Sequence, residues 1–139
     1  MILIIRISGM IGIPRNIQET LFRMRLRRKY SAILLEDNNF NRKLLKRVRD
    51  YIAYGTIKKE ILEKLIVLRG KSIEKGKSVD AKKIVDEIEK KSLEKQGLKP
   101  FFRLHPPRRG IESKKHFGIG KGVLGDNKEK INELVERML

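Results

Sequence analysis

Side chains that could perform acid–base or nucleophilic chemistry are scarce in this chain of 139 residues. Its only histidines, His105 and His116, have neither cysteines nor a spaced pair of carboxylates near them, although a zinc site requires several such ligands. No serine lies in a G-x-S-x-G turn, and most carboxylates alternate with lysines along helical patterns. The sequence therefore predicts no enzyme and no metal or cofactor site. A basic nuclease is an alternative only if carboxylates from distant parts of the chain converge.

The chemistry that the sequence does offer is cationic. Lysine and arginine total 34 against 17 aspartates and glutamates, which gives a net charge of +17. Residues 1–60 hold 14 basic and 5 acidic side chains, and residues 100–125 hold 6 and 1, whereas residues 126–139 hold 3 and 4. A generally basic proteome would not concentrate charge in two segments. The placement indicates a polyanionic partner, because neutralised phosphates release counterions and so supply affinity.

Most basic residues in these two segments are arginines, whose guanidinium groups bind phosphate through two parallel hydrogen bonds and stack on bases. Exposed aromatic side chains can stack on unpaired bases as well. We expect Tyr54 and Phe117 to be exposed, and Phe101 and Phe102 to pack in the core. The candidate nucleic-acid contacts are Arg6, Ser8, Arg15, Arg23, Arg25, Arg27, Arg28, Lys29, Arg42, Lys46, Tyr54, Arg103, His105, Arg108, Arg109, Lys114, Lys115 and Lys121.

The first charged segment needs alternating strands and helices to position it. Apolar, β-branched runs predict strands at Ile2–Ile5, Tyr30–Leu35 and Tyr51–Tyr54. Between them, helical spacing predicts two helices whose inner faces carry Ile17, Leu21 and Met24, and Leu44, Leu45 and Val48, respectively. Pro14 suits the first turn of the first helix, and Glu36–Asn39 supplies capping residues for the second. This order predicts an α+β fold with helices on one face of a sheet.

The rest of the chain reads as a helical extension. Lys58–Leu68 is a predicted helix with Ile61, Leu65 and Leu68 on one stripe and Leu62 and Ile66 beside it, and Ser78 or Asp80 can cap a fourth helix. A short strand at 100–104 ends at two prolines and leads into a cationic, glycine-rich loop. Asp126 and Glu129 form a predicted capping box for a last helix. We therefore divide the chain into a core at residues 1–57 and an extension at residues 58–139.

Other features bound the location of the protein. It has no cysteine for disulfides and no stretch approaching the ~18 apolar residues of a membrane span. The opening apolar run is too short for the hydrophobic region of a signal peptide. We expect a soluble, cytoplasmic protein with no membrane or small-molecule partner.

Four segments of the sequence resemble one known family. They are Ile5–Pro14, Leu21–Leu35, Val48–Gly55 and Leu104–Arg108, which contain I-R-I-S-G, L-R-R, V-R-D-Y-I-A-Y-G and L-H-P-P-R. In this order they are similar to the long archaeal and eukaryotic form of the large-subunit ribosomal protein L30 family. Together with the last helix, the resemblance covers nearly the whole chain.

The resemblance implies a small antiparallel sheet backed by helices, with a ferredoxin-like β-α-β-α-β core and an added helical C-terminal subdomain. It implies a structural role on ribosomal RNA of the large subunit, in the region of domain II and near the 5S RNA, beside neighbouring ribosomal proteins. The alternative is a free RNA-binding regulator or RNA chaperone that acts outside the ribosome.

Overall fold

The structure is a computed structural model that describes residues 1–139. It contains six strands and five helices. The strands are β1 (Ile2–Arg6), β2 (Ser31–Leu35), β3 (Ile52–Thr56), β4 (Phe102–Arg103), β5 (Glu112–His116) and β6 (Gly122–Asp126). The helices are α1 (Arg15–Arg23), α2 (Asn39–Val48), α3 (Lys59–Arg69), α4 (Ala81–Glu87) and α5 (Ile131–Met138), the last preceded by a 3₁₀ turn at Lys128–Lys130. None of the helices has the length and apolar character required to cross a membrane.

All six strands belong to one sheet, in the order β4-β2-β1-β3-β6-β5. The three strands of the predicted core pair antiparallel, and β4 extends them antiparallel to β2. On the other side, β6 pairs parallel with β3 after a long connection that contains α3, α4, β4 and β5. The edge strand β5 pairs parallel with β6. The α+β class is confirmed, and the extension contributes three strands to the sheet as well as helices.

Helices cover both faces of this sheet, whereas the sequence predicts them on only one face. Ile2 and Ile4 pack with residues of α1 and α2, whereas Leu3 and Ile5 pack with residues of α3, α4 and α5. Every residue of β1 is buried as a result. The nearly continuous apolar run at the start of the chain reflects this burial, since a strand covered on both faces needs no polar alternation.

Two local predictions at the helices are wrong. Of the residues predicted on the inner face of α3, Ile61, Leu62, Leu65 and Ile66 are buried, but Leu68 is 60% exposed. The capping box does not form either. The Asp126 carboxylate accepts a hydrogen bond from the Lys128 backbone N–H at 2.9 Å, and the 3₁₀ turn separates it from α5.

The capping of the second helix agrees with its sequence. The Asn38 side-chain oxygen accepts a hydrogen bond from the Asn41 backbone N–H at 2.8 Å, as an N-cap residue should. Residues before and after position 57 share one buried cluster, in which Ala53 and Ile57 pack with the helices of the extension. The division of the chain at that position stays a prediction.

Candidate nucleic-acid interface

Arg6 has no exposed surface, although the sequence predicts it as a nucleic-acid contact. Its guanidinium donates hydrogen bonds to the backbone carbonyls of Ser8 (3.0 Å), Gly9 (3.0 Å) and Leu26 (2.6 Å). Burial lowers the pKa of this guanidinium. Arg6 is therefore removed from the candidate contacts. It is a positioning residue that joins the loop after β1 to the basic segment after α1.

The end of α1 turns sharply and directs the following cations outward. The Leu26 N–H donates to the Leu21 carbonyl at 2.9 Å, and the Arg25 N–H donates to the Phe22 carbonyl at 3.0 Å. Arg25 has a φ of 63°. This is the Schellman pattern of a helix end, with an arginine at the left-handed position that glycine usually occupies. Leu21 and Leu26 are both buried in the same hydrophobic cluster, and this packing fixes the turn.

We call Arg23–Lys29 the α1–β2 basic segment. Every lysine and arginine side chain in it is exposed. The Arg25 guanidinium lies 2.5 Å from the Glu94 carboxylate. The Arg27 guanidinium lies 4.9 Å from the centre of the Phe22 ring, and the Lys29 ammonium lies 5.1 Å from the Tyr30 ring. Such stacking orders a long side chain while its charge stays at the surface. Arg23 and Arg28 have no carboxylate partner.

Strand pairing brings the second charged segment beside the first. Ser31 of β2 pairs with Arg103 of β4, and the Leu104 N–H donates to the Tyr30 carbonyl at 3.0 Å. The exposed Arg103 side chain lies 5.6 Å from the Phe101 ring. This edge of the sheet therefore carries cations from both segments. We call it the sheet-edge surface; it consists of Arg27, Arg28, Lys29, Arg103 and His105.

The loop after β4 is fastened to the last helix. The backbone N–H groups of His105 and Arg108 donate to the carbonyls of Met138 (2.9 Å) and Arg137 (3.0 Å) at the C-terminus of α5. The Arg137 side chain donates in turn to the carbonyls of Arg108, at 2.9 Å, and Gly110. These bonds use carbonyl groups that a helix end leaves without intrahelical partners. Arg108 and Arg109 are exposed on the loop that results.

The remaining cations of the late segment lie around β5, on the opposite edge of the sheet. Lys114, Lys115 and Lys121 are exposed, and Lys115 pairs with Glu112 at 3.2 Å. His116 lies 3.0 Å from the Asp50 carboxylate, which connects this strand to the chain just before β3. The late segment therefore does not form one patch, since the sheet order places β4 and β5 at opposite edges.

Arg42, Lys46 and Tyr54 line a third region, a groove of about 560 Å³ beside α2. The Arg42 guanidinium binds both oxygens of Asp37, at 2.5 and 2.7 Å, and this hydrogen bonding lowers the pKa of Asp37 and raises the pKa of Arg42. Tyr54 is half-buried, and that burial raises the pKa of its hydroxyl. The groove also contains Asp126 and Glu129, so its charge is mixed.

Arg15 lies apart from these groups, whereas Ser8 lies in the loop that Arg6 joins to Leu26. The Arg15 side chain is 92% exposed at the start of α1 and lies 3.5 Å from Glu19. Ser8 is half-buried, and its backbone N–H donates to the Tyr51 carbonyl at 3.2 Å.

Two cations that are not among the predicted contacts, Arg69 and Lys71, lie beside Arg103 and His105. In the sequence, only Gly70 between them stands out. A glycine there predicts the end of a helix but does not indicate a binding site.

Comparison with known proteins identifies the family. Residues 2–52 match the sequence model described as Ribosomal protein L30p/L7e. The chain is 36% identical over 152 aligned positions to the large ribosomal subunit protein uL30 of Methanobrevibacter smithii, with both chains covered completely. It is 37% identical to the uL30 of Aeropyrum pernix, over 98% of this chain and 97% of the relative, and 35% identical to that of Archaeoglobus fulgidus, over 99% of both. The chain belongs to the ribosomal protein L30p/L7e family.

The L30p/L7e model matches only part of the interface, whereas the alignments with the archaeal relatives span nearly the whole chain. The matched residues 2–52 include β1, the Arg6 hydrogen bonds and the α1–β2 basic segment. Arg103 and His105 lie beyond it, within the region that only the full-length similarity to the archaeal relatives covers. The sheet-edge surface thus combines residues from inside and outside the part that matches the L30p/L7e model.

Proposed function

We propose that the chain is a constituent of the large ribosomal subunit and binds folded ribosomal RNA through the sheet-edge surface. The relatives are named as large ribosomal subunit proteins, and the family is structural rather than enzymatic. The net charge of +17 supports a polyanionic partner. The observation that carries the proposal is the pairing of Ser31 with Arg103, since it joins two basic segments into one surface.

The chemistry of this surface suits RNA backbone. Arg28 and Arg103 have no carboxylate partner, so their guanidinium groups are free to make two hydrogen bonds to one phosphate. Stacking of Arg27 on Phe22 and of Arg103 on Phe101 orders those side chains before RNA binds. If about 6–10 phosphates are neutralised, affinity falls by roughly 10³–10⁵ between about 50 and 200 mM salt at a duplex-like site.

The finer location is also part of the proposal. The family resemblance supports a position near domain II of the large-subunit RNA and near the 5S RNA. Neighbouring ribosomal proteins fit the exposed apolar side chains, of which Ile11 is 98% exposed at the tip of the loop after β1 and Phe40 is 75% exposed on α2.

Sedimentation of cell extracts tests the proposal against the alternative of a free regulator or chaperone. A subunit constituent stays with large subunits in stoichiometric amount after a wash at high salt. Recovery of the protein only in free fractions after that wash would overturn the proposal and favour the alternative.

A further inference from the structure

A cleft of about 310 Å³ lies between the C-terminus of α3 and the end of β4. Arg69, Lys71, Arg103 and His105 line it, together with two leucines and Gly70, and no carboxylate does. The four other main clefts of the chain each include at least one aspartate or glutamate. This cleft is therefore distinguished by a lining that contains basic residues and no acidic residue.

The backbone around Gly70 brings the four basic residues together. The Gly70 N–H donates to the Ile66 carbonyl at 2.9 Å, and a Cβ at this position would collide with that carbonyl. The chain can therefore leave α3 in an extended conformation only with a glycine here. Immediately afterwards, the Lys71 carbonyl accepts from the Lys99 N–H at 2.8 Å, on the segment that continues into β4. Lys71 is held in this way beside the strand that carries Arg103.

Arg69 contributes a second, independent observation. Its Nε–H is buried and has no hydrogen-bond acceptor anywhere in the protein. Arg69 as a whole is partly exposed and forms no ion pair within the protein, so its guanidinium is available to a ligand in the cleft. A guanidinium satisfies its planar set of N–H donors best on a phosphate or carboxylate oxygen.

We propose that this cleft binds a backbone phosphate of RNA. The proposal rests on the proposed function and deepens it, since Arg103 and His105 belong to the sheet-edge surface and also line the cleft. Arg69 and Lys71 extend the RNA-binding surface around the edge of the sheet onto the end of α3. The Arg69 guanidinium donates two parallel hydrogen bonds to phosphate oxygens, while Lys71 supplies further positive charge from the side.

The test measures the affinity of the full-length protein for protein-free large-subunit ribosomal RNA across a series of salt concentrations. In the double variant R69Q/K71Q we expect weaker binding and a logarithmic salt slope smaller than that of the wild type by about one, as for the loss of one phosphate contact. The matched control K75Q/K82Q removes the same charge from exposed positions with no ion pair and should leave the slope unchanged. R69K keeps the positive charge but loses the planar guanidinium, so it should also weaken binding. It serves as the test if R69Q/K71Q does not fold.

The outcomes separate this proposal from the proposed function. If the wild type binds tightly and R69Q/K71Q, correctly folded, binds with the same affinity and slope, the cleft proposal alone is wrong. If R69Q/K71Q does not fold and R69K binds like the wild type, the cleft proposal is also wrong. If the wild type itself shows no preference for this RNA, both proposals fail. In assembled subunits, crosslinking of Lys71 identifies its neighbour. A crosslink to a carboxylate of a neighbouring protein, and not to RNA, would assign the cleft to an acidic protein segment and overturn the proposal that it binds an RNA phosphate.

Discussion

Ser31 on β2 lies directly opposite Arg103 on β4, and this pairing sets residues far apart in the sequence side by side at the edge of one sheet. The α1–β2 basic segment ends at Lys29, two residues before Ser31, and the first cation of the late basic segment is Arg103. Phe102, between Arg103 and the buried edge of the core, is only 1% exposed and fastens β4 in place. The basic surface is thus fixed by the fold before any partner is present.

Arg6 should matter for stability although it is buried and so cannot contact RNA. Replacing it in R6M leaves the carbonyls of Ser8, Gly9 and Leu26 without their donor, and we expect the free energy of unfolding to fall by about 1–3 kcal/mol. Denaturant unfolding measures the change. R15M is the matched control because Arg15 is exposed, and it should stay within about 0.5 kcal/mol of the wild type. Equal stability of the two variants would contradict the positioning role.

Arg25 occupies a backbone conformation that favours glycine. R25G and R25A both remove the pair with Glu94, so the difference between them isolates the backbone at a φ of 63°. R25G should be the more stable by about 1 kcal/mol in denaturant unfolding. At Arg27, which has no positive φ, the order should reverse, with R27A more stable than R27G by about 0.5 kcal/mol. If the glycine and alanine variants ranked in the same order of stability at both positions, the left-handed conformation of Arg25 would be contradicted.

Gly55 is required by close packing of β3 against the start of α5. A Cβ at this position would collide with the Lys128 carbonyl and approach the Ile131 Cβ to 2.9 Å. We expect G55A to lower the free energy of unfolding by about 1–3 kcal/mol, as overpacking does. At Gly9 nothing lies within 4 Å of an added Cβ, so G9A serves as the control and should be nearly neutral. A fully stable G55A protein would argue against this packing of α5.

Tyr54 should titrate above its ordinary range. Burial raises its pKa first, and the negative charge of Asp126, its partner in the β3–β6 pairing, raises it further, while Arg49 and Arg42 act in the opposite direction. The folded state thus holds this proton more tightly than the unfolded chain, so its contribution to stability is lost as pH rises past the usual tyrosine value of 10.0.

The contribution of Asp126 can be measured directly. In a Y30F/Y51F background Tyr54 is the only tyrosine, and its phenolate absorbance reports the pKa. D126N should lower that pKa, whereas D86N on α4 should leave it unchanged. An unchanged pKa in D126N would place Asp126 farther from Tyr54 than the structure does.

Much of the fold was predictable because it depends on local patterns. The β-branched run of β1 and the helical spacing of Ile17 and Leu21 indicate their elements, and the order of elements indicates the α+β class. The burial of Arg6 was not predictable, since its acceptors are backbone carbonyls, and any residue type supplies those.

The candidate site was predictable only in part for a similar reason. The concentration of arginine near Arg27 and near Arg103 is visible in the sequence, but their adjacency depends on the register of β2 with β4. Arg69 and Lys71 gave no signal, because a helix end followed by glycine is common and only the tertiary contact with β4 forms the cleft. Tyr54, expected to be exposed, is half-buried because it lies on a strand between two others in the sheet.

The most direct test of the central claim compares two triple charge reversals for incorporation into large ribosomal subunits. R27E/R28E/R103E alters the sheet-edge surface, and K75E/K82E/K90E changes the net charge equally at exposed positions elsewhere. Arg25 is left intact because its reversal would face Glu94 and disturb the fold. Placement of charge predicts that the first variant, folded by circular dichroism, enters subunits at less than about a tenth of the wild-type level, while the second enters normally. Normal incorporation of the folded sheet-edge variant would contradict the account.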